Sequence, residues 1–94
     1  MWTGRLSSPY FEQVRDGRKI YEMRRLIPGD KYTEVPIGTI MTLTRLDGTE
    51  PFDVRIIDKQ PYQNFAKAIE ATGYSNLIPD AETEFEAWKV YHDI

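Results

Sequence analysis

Thr39-Ile40-Met41-Thr42-Leu43-Thr44-Arg45-Leu46-Asp47-Gly48-Thr49-Glu50-Pro51-Phe52-Asp53-Val54-Arg55-Ile56-Ile57-Asp58 carries the strongest pattern in the chain. Residues 39–45 alternate and are rich in Thr, Ile and Leu, which predicts a strand. Leu46-Asp47-Gly48-Thr49 is a hairpin turn signal. Phe52 to Asp58 then returns as a second strand, with Phe52, Val54 and Ile56 facing inward. An antiparallel hairpin therefore stands at the centre of the chain.

Upstream of the hairpin, Gly17-Arg18-Lys19-Ile20-Tyr21-Glu22-Met23-Arg24 concentrates the polar chemistry. It reads as a turn feeding a strand over residues 19–25. Alternation puts Ile20, Glu22 and Arg24 on one face, and Lys19, Tyr21, Met23 and Arg25 on the other. A carboxylate and a guanidinium two residues apart then lie about 6.5–7 Å apart along the strand. Lys19 joins that face only if the turn at Gly17 twists it round. The plain alternative is a solvated strand carrying a surface ion pair.

The remaining elements follow from local signals. Residues 2–6 form a short strand with Trp2 and Leu6 buried. Ser8-Pro9 starts a helix, a capping hydroxyl followed by proline at the first helical position. Tyr10, Phe11 and Val14 give it an apolar stripe over residues 9–16, and Asp16-Gly17 ends it. Of the adjacent Tyr10 and Phe11, one packs and the other points away. Residues 26–38 are a loop punctuated by Pro28-Gly29-Asp30 and Pro36-Ile37-Gly38, long enough to act as a rim or lid. After Pro61, Phe65, Ala68, Ile69 and Thr72 are spaced for a helix closed by Gly73. Leu77-Ile78-Pro79 is a buried corner. Thr83-Glu84-Phe85-Glu86 has the capping-box form and opens a last helix over residues 84–92. Phe85, Trp88, Tyr91 and His92 make its aromatic face. Tyr62, Phe65, Phe85, Trp88 and Tyr91 read as packing between helices and sheet.

The 94 residues make one domain over 1–94, with 40% hydrophobic, 29% charged and 13% aromatic residues, ordinary for a soluble protein except for the rich aromatic share. No apolar run approaches the roughly 18 residues of a membrane helix. Met1-Trp2-Thr3-Gly4-Arg5 lacks the apolar stretch of a signal peptide. Both point to a cytoplasmic protein with no membrane partner. Without cysteine there is no thiol nucleophile, disulfide or thiolate metal site. Net charge is −3, which counts against broad binding of duplex nucleic acid. The charge is polarised, however. Arg5, Arg15, Arg18, Lys19, Arg24, Arg25 and Lys31 outnumber the acids of residues 1–31, whereas Asp80, Glu82, Glu84, Glu86 and Asp93 dominate the tail.

This order predicts a small α+β domain with a largely antiparallel sheet that curls over its helices or closes into a barrel. No βαβ nucleotide-binding unit, P-loop or GxGxxG turn is present, and no cofactor is implied. His92, with Asp93 and Glu86 nearby, lacks zinc spacing and suits a helix terminus instead, so no metal is expected. A Ser-His-Asp triad has no supporting turn. The chemistry to weigh lies at Lys19, Glu22, Arg24 and Lys31, with Tyr10 and Tyr32 as surfaces on which a base could stack. A desolvated lysine can act as a base, a neighbouring carboxylate can orient water or take a proton, and arginine can hold a phosphate. Those roles suit hydrolysis of an amide or phosphodiester, and recognition of a nucleotide equally.

Pro9-Tyr10-Phe11, Val14 and the run Gly17-x-Lys19-x-x-Glu22-x-Arg24 resemble the ASCH domain family and its GxKxxExR signature. Lys31 with Ile37-Gly38, Tyr62-Gln63-Asn64-Phe65 before Gly73, Leu77-Ile78-Pro79, and Glu86-Ala87-Trp88-Lys89-Val90-Tyr91 fall in the family's order. The resemblance implies a PUA-like β-barrel with flanking short helices. It also implies a cleft facing single-stranded RNA or a nucleotide or nucleoside, built on Lys19, Glu22 and Arg24. One branch of the family hydrolyses N4-acetylcytidine; its threonine falls at Glu22 here, so that hydroxyl is missing. Thr39 stands where the family has an aspartate. Many relatives add a closing strand after the helix of Tyr91. With the sequence stopping at Ile94, the barrel is expected to stay open or to use Trp2–Leu6 as its edge.

Three functions fit these residues. The first is RNA or modified-nucleotide binding in the Lys19, Glu22, Arg24 and Lys31 cleft. The alternative is a small hydrolase, a single-strand ribonuclease or an N4-acetylcytidine-type amidohydrolase, with Lys19 and Glu22 catalytic. The third is a protein–protein adaptor using the acidic C-terminal helix.

Overall fold

Asp47 makes the hairpin turn by accepting from the Thr49 amide at 3.0 Å and the Thr49 hydroxyl at 2.6 Å, while Gly48 takes φ +84°. In the computed structural model, which describes residues 1–92, this turn joins β2 (Ile40–Arg45) to β3 (Phe52–Arg55). Met41 pairs with Val54 and Leu43 with Phe52 across the antiparallel ladder, so the apolar alternation of both strands falls on one face. β3 is shorter than the predicted strand, although the Ile56 amide still bonds the Thr39 carbonyl at 3.0 Å.

β1 (Trp2–Leu6) lies on the other side of β2 and runs parallel to it, giving the order β1-β2-β3. The sheet is thus mixed and open among the described residues, not the predicted antiparallel barrel. A parallel neighbour needs a crossover. Here it is the whole of residues 7–39, including α1 (Tyr10–Arg15) and α2 (Lys31–Glu34). The absence of a βαβ nucleotide motif in the sequence therefore did not exclude a parallel pair.

Phe11 of α1 is fully buried and meets Phe52 edge to face, with centroids 5.3 Å apart. Leu6, Phe11, Met41 and Leu43 form the sheet's core, each worth about 1.5–3 kcal/mol on full burial. The Ser8 hydroxyl does not cap α1 as expected. It donates to the Glu12 carboxylate at 2.7 Å.

A second core lies among α3 (Phe65–Thr72), α4 (Tyr74–Leu77) and α5 (Glu84–His92), built on Ile69, Leu77, Ile78, Ala87 and Tyr91. Asn64 caps α3 and Gly73 ends it. The Thr83 hydroxyl accepts from the Glu86 amide at 3.1 Å, and the Glu86 carboxylate accepts from Glu82 N–H. The capping box thus reaches back one residue further than usual. The predicted aromatic face of α5 divides in two. Phe85, Trp88 and His92 stack on the outside, with Trp88 and His92 centroids 4.3 Å apart, while Tyr91 enters the core against Phe65.

The predicted strand over residues 19–25 does not form. The Arg18 and Lys19 amides both donate to the Gln13 carbonyl, and those of Ile20 and Tyr21 both donate to Asn76 O, at 2.9–3.1 Å. Successive amides sharing one acceptor cannot belong to a strand ladder, where they point to opposite sides. This segment instead ties α1 to α4, and so ties one core to the other.

Candidate functional site

The turn at Gly17 (φ +80°) folds the chain back beneath α1. Lys19 consequently points inward and is 4% exposed. It forms the floor of an open cleft of about 630 Å³ between the two cores. Leu6 and Tyr10 line the cleft from the sheet side, Phe65 and Tyr91 from the helical side. Glu22, Arg24 and Arg25 stand along its rim with Arg5 of β1. Lys19, Glu22, Arg24 and Tyr10 therefore line one hollow, brought together by a loop rather than by one face of a strand.

Lys19 Nζ donates to the Leu77 carbonyl and, at 3.0 Å, to the Tyr91 hydroxyl. It also lies 5.7 Å and 5.6 Å from the ring centroids of Tyr10 and Tyr91. Aromatic faces favour a cation, yet desolvation outweighs them and pushes the amine below its ordinary value of 10.5. Glu22 pulls it back up, and Arg24 pushes it further down. The same burial pushes the Tyr91 phenol up, with Glu22 and Tyr10 adding to the effect. Arg24 Nε and the Glu22 carboxylate are 3.7 Å apart, with side chains 39% and 35% exposed, a pair worth about 0–1 kcal/mol.

The donor count determines what this floor can do. An ammonium carries three donors; two meet Leu77 and Tyr91, leaving one for an anion or carbonyl oxygen in the cleft. A neutral amine satisfies both acceptors with its two N–H groups and turns its lone pair outward. The first state binds, and the second can take a proton. Arg24 and Arg25 add charge at the rim, and Tyr10, Met23 and Phe65 supply apolar wall.

Lys31 and Tyr32 do not line this cleft. They border a neighbouring hollow of about 500 Å³ with Thr3, Gly4, Arg5, Thr44 and Gly48. The Asp30 side chain caps α2 by accepting from the Tyr32 amide at 2.8 Å, and this short helix turns both side chains toward β1. The loop predicted over residues 26–38 thus contains one helical turn. Phe11 is fully buried in the sheet's core, whereas Tyr10 is half-buried, packed against the helical core where it borders the cleft.

No protein-family model matches the chain, and no curated protein does. Among solved structures, the chain is similar to the crystal structure of hypothetical protein PH0355. The TM-score is 0.82 at 25% sequence identity, over 99% of this chain and 81% of that one. That likeness supports the small α+β architecture.

Tyr91, Phe65 and Arg5 are among the cleft residues that the sequence did not single out, with Met23, Arg25 and Asp30 beside them. Tyr91 and Phe65 read as helix packing because apolar spacing on α5 and α3 says only that a face is buried. Arg5 carried a signal: it is the charged residue of an apolar edge strand. Of the other readings, His92 sits in the last turn of α5 against Trp88, and Asp93 lies outside the described residues. Among the described residues no group of His, Cys, Asp or Glu could hold a metal ion, and no helix is long and apolar enough to cross a membrane. Glu84 and Glu86 are exposed on the first turn of α5.

Proposed function

We propose that the chain is an ASCH-like, PUA-related domain that binds single-stranded RNA or a modified nucleotide in the Lys19 cleft. The supporting observation is the convergence of Lys19, Glu22, Arg24 and Tyr10 on one hollow between two cores. The buried cation faces a phosphate or base carbonyl oxygen, Arg24 and Arg25 meet the backbone phosphates, and Tyr10 offers a ring for stacking. The PUA-like relationship rests on the signature run at Gly17 to Arg24; an open three-stranded sheet would be a reduced version of that barrel. Binding of short labelled RNA should weaken with salt and disappear in the Lys19→Met, Arg24→Ala double variant. Methionine keeps the stem in place, so circular dichroism should report an intact fold. Undiminished binding in that variant overturns the proposal.

One observation favours hydrolysis as a second reading. Burial lowers the Lys19 amine, and a neutral amine in a cleft beside a carboxylate is a general base. Glu22 would then receive or relay the proton. Prolonged incubation with labelled RNA and with N4-acetylcytidine tests this, and intact substrate in both removes it.

A further inference from the structure

The two hollows are not independent. Arg5 lines both, with its guanidinium held by the Leu46 carbonyl at 3.0 Å. Arg24, at the rim of the first, lies with Cζ 3.9 Å from the ring centroid of Tyr32, which lines the second. Lys31 Nζ stands 5.4 Å from the same ring. Arg5, Arg24 and Tyr32 therefore form a joint between a 630 Å³ cleft and a 500 Å³ hollow. Each volume falls in the range that takes a small ligand.

We infer that the second hollow is a subsite for the next nucleotide of a single strand, so that the site reads an oligonucleotide rather than a lone nucleotide. This rests on the nucleotide-binding reading of the Lys19 cleft and adds a direction to it. The chemistry of the second hollow matches a phosphate and a base. Arg5 and Lys31 supply charge, the Thr3 and Thr44 side chains supply hydroxyls, and no carboxylate is among its described lining residues. The first cleft differs, because Glu22 and Asp30 line it beside the cations. The Tyr32 ring is half-buried on the sheet's core with Arg24 Cζ on it, and the part that borders the hollow is where a base of any identity would stack. Gly48 permits close approach: a Cβ there would meet only the end of Arg5, at 3.8 Å, so the backbone at that side of the hollow is open.

The ligand crosses at Arg5, with one nucleotide over Lys19 and Tyr10 and the next between Tyr32 and Lys31. The acidic net charge of the chain is compatible with this, since five cations, Arg5, Lys19, Arg24, Arg25 and Lys31, border the two joined hollows.

The test compares uridine monophosphate with a mixed-sequence hexaribonucleotide, by fluorescence anisotropy and by chemical-shift mapping. The hexanucleotide should bind about ten-fold or more tighter, and it alone should shift the Tyr32 ring and Thr44 resonances. Lys31→Ala and Tyr32→Leu, which keeps apolar bulk over β1, should each weaken the hexanucleotide about five-fold or more and narrow its advantage. Lys31→Ala should also lower the salt slope by about 0.7. Equal affinity for both probes, with no effect of either variant, overturns the second subsite while leaving the Lys19 cleft reading intact. If neither probe binds, both fall. If both probes bind and Lys19→Met abolishes binding but Lys31→Ala does not alter it, only the subsite is lost.

Discussion

Lys19 Nζ and the Tyr91 hydroxyl meet at 3.0 Å although 72 positions separate them in the chain. One comes from the segment after α1 and the other from the last helix, so this bond closes the cleft floor across the two cores. Its removal should be felt. Tyr91→Phe keeps the ring but leaves a buried lysine donor without its acceptor. A loss of about 1–3 kcal/mol is expected, read as a lower melting temperature with the cleft still formed. An unchanged melt would show that the amine finds another acceptor.

The Lys19 amine should titrate below 10.5, because burial dominates. Glu22→Gln removes the charge that raises it and should lower it further, whereas Arg24→Gln should raise it. Between the folded value and 10.5, the unfolded chain holds a proton that the folded chain has released, so this residue's contribution to stability rises with pH across that window. NMR of the lysine Cε through the titration checks all three signs. Opposite movement in the two variants would mean that the charges do not face Lys19 as described.

Glu12 sits under the Ser8 hydroxyl and the Arg45 guanidinium, and the hydrogen bond from Ser8, then that from Arg45, holds its carboxyl down at about 2. A depressed carboxylate stabilises the fold above its unfolded value of 4.5, and that contribution is lost as pH falls through 4.5 toward 2. Ser8→Ala should raise the Glu12 value and move the acid unfolding midpoint upward. Melting curves across that acid range measure the shift, and coincident midpoints would refute it.

Gly4 admits the Tyr32 ring. A Cβ there would stand 2.7 Å from the Tyr32 hydroxyl oxygen and 3.1 Å from both Leu43 Cδ2 and Met41 Cε. Gly4→Ala should cost about 1–3 kcal/mol as overpacking, and Tyr32→Phe in the same chain should recover part of it. Thermal denaturation of the single and double variants decides, since simple additivity would deny the contact.

Thr83→Ala removes the oxygen that accepts from the Glu86 amide and should destabilise α5 by about 0.5–2 kcal/mol. Urea melts measure this, and Thr83→Ser should restore most of the loss.

Elements with a local cause are legible in the amino-acid order alone. The β2–β3 hairpin follows from alternation around Asp47-Gly48, and α3 and α5 from apolar spacing between Asn64 and Gly73 and after Thr83. That order also marks Lys19, Glu22 and Arg24 as a group, because a turn at Gly17 keeps neighbours in sequence close in space. That the amides of residues 18–21 bond the Gln13 and Asn76 carbonyls, so that this segment enters no sheet, follows from the packed chain. Backbone amides take whichever acceptor the packed chain presents, and β propensity cannot foresee a carbonyl more than fifty residues away. The parallel placement of β1 beside β2, the joining of Lys19 to Tyr91, and the removal of Lys31 and Tyr32 to a second hollow share that origin. Each depends on how two small cores dock, and docking is set by contacts between segments distant in the chain.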